Sequence, residues 1–319
     1  MAAFSTVSLM RERPGTIRRF VDYYRSAGAR EILIFLDCPV PGLAVERPAV
    51  VVVCDEAFWA VRGGRPEVLE HRQRAVYLAG LERCGTPWLL VVDADEFVFG
   101  DRPIPAFLDR IPEGVGAVSV PTAEAVWGPG DRFGEPFAST YFRTAWPVGN
   151  ASRLLRRLVF GRASGQMRNG LTGHGRGKEF VRLGRGIDTI GNHRSWRGGE
   201  EVTVPAARIG RAFEGMYVGH FDGLDLTRWE RKWWMRTSGE TVAVGMSGPR
   251  KAQMALIARG FQEGDAARRA LFARYYRLSR LQYLVLAALG HAFRREIFAP
   301  AAPPAAVQAD RLRTSPTMS

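Results

Sequence analysis

Cysteine is scarce in this chain: 319 residues contain three, Cys38, Cys54 and Cys84, far apart and with no C-x-x-C among them. No spacing is left for a disulfide framework, and the three fit small core residues in a reducing compartment. Long apolar runs are missing too. The longest candidate, "LQYLVLAALGHAF" at residues 281–293, falls well short of the ~20 residues that a membrane-spanning helix needs. The N-terminal "MAAFSTVSLMRERPG" becomes charged too early for a secretory signal. No internal repeat is present. These absences point to a cytoplasmic chain.

What is abundant is arginine. Lysine plus arginine number 45 against 32 aspartates and glutamates, and arginine supplies nearly all of the excess. An anionic partner follows: a nucleotide diphosphate, a membrane surface or a nucleic acid. With 46% apolar residues the chain can bury a sizeable core, enough for one large α/β domain with or without an appendage.

Two periods alternate over the first hundred residues. "FSTVSLM", "EILIFLD", "AVVVVCD" and "WLLVVD" read as strands. "GTIRRFVDYYRSAG", ended by Gly28, and "PEVLEHRQRAVYLAGLERCG", opened by Pro66, read as helices. Strands separated by helices predict a parallel sheet with right-handed crossovers, and such sheets bind ligands at the carboxyl ends of their strands. Residues 10–12, Asp37, Asp55 and residues 93–96 fall at such ends. From about residue 115 the sequence is rich in glycine and arginine and reads as active-site loops laid over the sheet. Helical patterns dominate from Leu226, leading into 249–262, 265–278 and 278–295.

"WLLVVDADEFVFG", residues 88–100, drives an apolar strand into Asp93, Asp95 and Glu96. Carboxylates at i and i+2 can converge on a hard cation, Mn²⁺ or Mg²⁺, which in turn stabilises a departing nucleoside diphosphate. The plain alternative is a pair of carboxylates that meets arginines at a strand end. The flanking "WLLVV" and "EF" favour the metal.

"VVDADEFV" resembles the metal-binding strand end of GT-A glycosyltransferases, in particular the bacterial family 2 subgroup related to family 92. The resemblance covers about residues 4–236. It includes "VSLMRERPGTIRRFVDYYRSAGAREILIFLD", "HRQRAVYLAGLERCGTPWLLVVDADEFV", "KEFVRLGRGIDTIGNH" and "VGHFDGLDLTRWERKWW". It implies an α/β GT-A fold, Rossmann-like, with a mostly parallel central sheet flanked by helices and a helical C-terminal extension. The implied division is a catalytic domain over 1–245, the extension over 246–298 and a disordered Pro/Ala-rich tail over 299–319. The implied reaction is inverting transfer of a sugar from a nucleotide-sugar donor to a glycan, lipid-linked or small-molecule acceptor, with Mn²⁺ or Mg²⁺. Donor contacts fall on Arg11, Glu12, Asp37, Gln73, Asp93 and Lys178, and metal ligands on Asp93, Asp95 and His220. His193 falls near the acceptor, and a structural histidine at a strand end is its plain alternative. Inversion needs a carboxylate base; Glu179 is the first choice and Asp131 its competitor. Two departures touch the nucleotide side: Arg11-Glu12-Arg13 where the family usually has Lys-Asn-Glu, and "DCPVPG" where it has an Asn-Gly-Ser-like turn.

Among the other histidines, His71 lies on a charged helix face, His291 in the apolar C-terminal run, and His174 in a Gly-rich loop that could touch phosphate or acceptor. The aromatic and cationic "RKWWMR" reads as a helix with one buried face, or else as a sugar-stacking or lipid-facing one. The 278–295 pattern, apolar with flanking arginines, fits a helix lying peripherally on the inner face of an anionic membrane. Burial against the catalytic domain fits it equally. Two rival classes remain. A haloacid-dehalogenase-like phosphotransferase also ends a strand in D-x-D, but usually carries Thr or Val where Phe97 stands here. A basic nucleic-acid-binding protein would need a helix-turn-helix, zinc-ligand or RNP pattern, none of which is found, so no nucleic acid is expected.

Overall fold

Strand Phe4–Met10 is buried at all seven positions, which only a strand covered on both faces can be. It lies inside a seven-stranded sheet with the order Thr203–Pro205, Ala117–Val120, Lys178–Arg182, Trp88–Val91, Phe4–Met10, Glu31–Leu36 and Ala49–Val53. Every strand runs parallel except Lys178–Arg182, which pairs antiparallel with both neighbours. This is the helix-flanked, mostly parallel α/β sheet expected of a GT-A-like chain. The structure, a computed structural model, describes residues 1–298 except 136, 174, 223–224 and 240–246. The 299–319 tail and the boundary expected at 245 therefore lie outside the described residues.

Helix Pro14–Ser26 forms as read, with Ile17, Phe20, Val21 and Tyr24 buried on one stripe and Gly28 past its end at φ +91°. The second long helix begins later than Pro66 suggests, at Leu69, and runs to Arg83. Asp55, one of the strand-end carboxylates, caps the short helix Glu56–Ala60 by accepting from the Phe58 amide at 2.8 Å.

The 88–100 stretch is not one strand. It leaves the first sheet after Val91, turns through 92–95 and enters a second sheet as Glu96–Gly100. That sheet has the order Ala292–Arg294, Tyr141–Thr144, Thr122–Val126, Met216–His220 and Glu96–Gly100. Glu96–Gly100 is an edge strand, and two of its carbonyls accept from the hydroxyls of Tyr24 (2.9 Å, Glu96) and Tyr23 (2.7 Å, Val98). Asp93 and Asp95 thus sit where the chain crosses between sheets.

The region after 115 is more than loops over a sheet. It contributes buried strands to both sheets, with Pro121 separating Ala117–Val120 from Thr122–Val126. The C-terminal helices form over Gly248–Glu263, Asp265–Tyr276 and Arg280–Ala288. The helix expected over 278–295 ends early because Gly290 takes φ +74° and Ala292–Arg294 pairs with Tyr141–Thr144. Of the apolar positions in that pattern, Leu278 is buried, as is its neighbour Leu286, while Leu281 and Leu289 are exposed. The extension shares a core with the sheet: Val126, Trp146 and Phe160 pack with Trp229, Trp233, Phe272 and Tyr275.

Candidate active site

Parallel strands in register bring their carboxyl ends together. The Asp37 amide donates to Met10 O at 2.9 Å, and the Val92 amide to Val7 O at 3.2 Å. Glu12, Asp37 and Asp93 therefore lie along one edge of the sheet. Asp37 is held by Arg65 at 2.9 Å and by Arg72 at 3.3 Å. Arg11 is exposed at the same edge.

At the crossover the two aspartates part company. Asp93 accepts from Lys178 Nζ at 2.8 Å and from Gln73 Nε2 at 3.0 Å, and Gln73 in turn accepts from Asn192 at 2.7 Å. The Lys178 ammonium, wholly buried, also lies 3.1 Å from Glu96, whose other contact is the Asp93 amide at 2.8 Å. Burial works against the lysine charge, but Asp93 and Glu96 outweigh it and hold its pKa well above the ordinary range. Burial would also raise the Asp93 pKa; Lys178 more than offsets that and lowers it. Burial dominates at Glu96 and pushes its carboxyl up to about 7.

Asp95 faces a different group. Strand Met216–His220 runs antiparallel to Glu96–Gly100, with His220 opposite Glu96, and the Phe221 amide donates to Asp95 O at 2.9 Å. That register carries residues 220–222 past Asp95. Asp95, His220 and Asp222 each bring one ligand atom to within 4.8 Å of the others. Lys232 on helix Leu226–Thr237 donates to Asp222. Burial works against the Asp222 charge, but Lys232 and His220 outweigh it and keep the carboxyl well below the usual range. Burial would lower the His220 pKa, and Asp95 and Asp222 reverse that shift. Glu12 stands at the rim, accepting from Arg228 at 2.6 Å, with its pKa raised by burial against the pull of Arg228.

Two carboxylates and an imidazole converging in this way fit a hard or borderline divalent cation, Mn²⁺ more closely than Mg²⁺. Of the three positions read as metal ligands, Asp95 and His220 belong to this cluster; Asp93 is turned instead to Lys178 and Gln73. Asp222 was not read from the sequence. Its signal was the one carboxylate of "GHFDG", two residues after the histidine.

The residues read as bases are placed as follows. Glu179, next to Lys178, points to the other side of the strand and is fully buried, with Ser195 and Thr203 hydroxyls each donating at 2.7 Å. Burial raises its carboxyl to about 7. So enclosed, Glu179 serves the sheet rather than an acceptor hydroxyl. Asp131 accepts from the Gly128 amide at 2.8 Å and shapes a turn. His193 is partly exposed, and its Nδ1 lies 2.8 Å from Gly177 O.

Glu124, also unread in the sequence, is fully buried and accepts from Arg143 Nε at 2.8 Å and from the amides of Thr172 (3.1 Å) and Gly173 (2.8 Å). It fixes the loop whose Gly173 packs beside His220. Of the remaining histidines, His71 is exposed, His291 stacks on Trp146 with ring centroids 4.4 Å apart, and His174 lies outside the described residues. In "RKWWMR" Trp233 is buried and Trp234 exposed against Phe261.

No protein-family model matches the sequence, and no curated protein matches it. Among solved structures the chain is similar to HddC from Yersinia pseudotuberculosis, at 9% identity over 64% of this chain and 89% of that one, with a TM-score of 0.33. It is similar to glucosyl-3-phosphoglycerate synthase from Mycobacterium tuberculosis, solved with Mn²⁺, UDP and phosphoglyceric acid. There the identity is 16% over 57% of this chain and 56% of the other, with a TM-score of 0.28. A mycobacterial protein matches at 16% identity over 76% and 77% of the two chains, with a TM-score of 0.32.

Proposed function

We propose that the chain is a metal-dependent GT-A glycosyltransferase, moving a sugar from a nucleotide-sugar donor to a glycan, lipid-linked or small-molecule acceptor with inversion. One observation carries the reading. Asp95, at the mouth of a parallel sheet, meets His220 and Asp222 within 4.8 Å, beside the strand ends where such sheets bind nucleotides. A bound Mn²⁺ or Mg²⁺ would neutralise the diphosphate oxygens as the nucleoside diphosphate departs. Asp95, His220 and Asp222 would hold it. Arg11, Glu12 and Asp37 line the nucleotide edge, while Lys178 and Gln73 orient Asp93.

In the transfer an acceptor oxygen bonds to the anomeric carbon, the bond from that carbon to the diphosphate breaks, and the acceptor proton goes to a base. Glu179 is enclosed and Asp131 holds a turn, which favours the imidazole of His193 for that base in place of the carboxylate expected from the sequence. Gly177 O, 2.8 Å away, only accepts, so His193 carries a proton on Nδ1 and its ring is held by the backbone.

A panel of nucleotide-sugars, assayed for nucleoside-diphosphate release with Mn²⁺, tests the reading. Release from at least one donor, abolished in Asp95→Asn with the thermal midpoint unchanged, is the expected result. Absence of Mn²⁺-dependent donor binding by calorimetry across the panel would refute it.

A further inference from the structure

Helix Asn150–Phe160 is inverted relative to an ordinary surface helix. Ser152, Arg156, Val159 and Phe160 face inward, while Leu154, Leu155 and Leu158 are 61%, 41% and 73% exposed. Helix Arg280–Ala288 packs beside it, tied by Gln282 Nε2 donating to Val159 O at 3.0 Å. That second helix also turns leucines outward, Leu281 at 72% and Leu284 at 54%. Single exposed leucines are ordinary, but a set of them on two adjoining helices forms a patch that needs a covering surface.

Charge says what kind. No carboxylate occurs between Glu135 and Glu179, nor between Asp265 and Glu296, the two stretches that build this face. Arg153, Arg157, Arg162 and Arg280 are exposed around the leucines, and none forms an ion pair among the described residues. A solvated protein face would carry both signs, and a nucleic-acid face would not need the leucines.

We propose that this two-helix face docks on the surface of an anionic phospholipid bilayer, its leucines at the acyl boundary and its arginines at the headgroup phosphates. The helices lie on the membrane; no described helix is long and apolar enough to cross one. The surface stands on its own observations, whatever the sugar donor proves to be.

The test is flotation of the full chain with vesicles of phosphatidylcholine, with and without phosphatidylglycerol. Co-flotation with the anionic vesicles only is expected. It should fall by roughly ten-fold or more in Leu154→Ser/Leu158→Ser and in Arg153→Gln/Arg157→Gln, both with wild-type thermal midpoints because all four side chains are exposed. Flotation unchanged in both variants, or absent from the wild type, overturns the proposal. So does light scattering that shows a dimer converted to monomer by the leucine substitutions, since a second copy would then cover the face. Binding of an oligonucleotide that depends on the arginines and not on the leucines would overturn it as well.

Discussion

Lys178 and Asp93, 85 residues apart in sequence, meet at 2.8 Å with the lysine ammonium wholly buried. The first carboxylate of the D-x-D stretch is therefore answered by a cation from the one antiparallel strand of the main sheet. The same ammonium serves Glu96, so one lysine balances two carboxylates.

Replacing it strands both. Lys178→Met should cost about 3–5 kcal/mol, the range for breaking a buried ion pair. The stranded carboxylates would then hold raised folded-state pKa values, so the variant should recover stability as pH falls from 8 to 5. Urea midpoints at the two pH values check this; a loss that does not depend on pH would mean that packing, not charge, is at stake.

The parting of the two aspartates makes their variants distinguishable. Mn²⁺ should raise the thermal midpoint of the wild type, as any ligand of the folded state does. Asp222→Asn and His220→Ala should reduce that rise and raise the Mn²⁺ needed for half-maximal transfer by roughly ten-fold or more, on the scale of losses around metal sites. Asp93→Asn should instead lower the midpoint in the absence of metal, through Lys178. An Asp222→Asn protein that titrates with Mn²⁺ as the wild type does would remove Asp222 from the proposed ligands.

Gly177 holds φ +74°, and a Cβ there would come within 1.8 Å of Val120 O. A backbone oxygen in a sheet cannot step aside. Gly177→Ala should therefore cost about 2–4 kcal/mol, more than the ordinary price of a glycine replacement. Because Gly177 O also meets His193, transfer should fall further than the lost stability alone explains, measured well below the melting temperature.

Glu179 yields a pH prediction. Its carboxyl is raised to about 7 in the fold against an ordinary 4.5, so the folded state holds the proton more tightly. The stability it contributes is present below pH 4.5 and is lost as pH rises toward 7, by about 3 kcal/mol. Glu179→Gln keeps the shape without the ionisation. The variant should lose less stability than the wild type between pH 5 and 8 in urea titrations; parallel curves would contradict the assignment.

The sequence by itself determined the four strands of the main sheet that the first hundred residues supply. Strands such as "FSTVSLM" and "EILIFL" are apolar at successive positions, and helices alternate with them, which is enough to predict parallel strands and a ligand edge. It also marked Asp93 and Asp95, because charge at the end of a buried strand is conspicuous, while His220 was marked through the resemblance to GT-A enzymes. Hydrophobic period reports which face of an element is covered, and nothing about which distant residue covers it. Hence the parting of Asp93 from Asp95, set by the chain changing sheets between them, was decided only in three dimensions. The partners were decided there too: Lys178 by antiparallel register, Asp222 by the pairing of Met216–His220 with Glu96–Gly100. The same limit applies at the C-terminus, where apolar spacing over 278–295 suggested one helix. Gly290 and the pairing of Ala292–Arg294 cut it short and left its leucines divided between core and solvent.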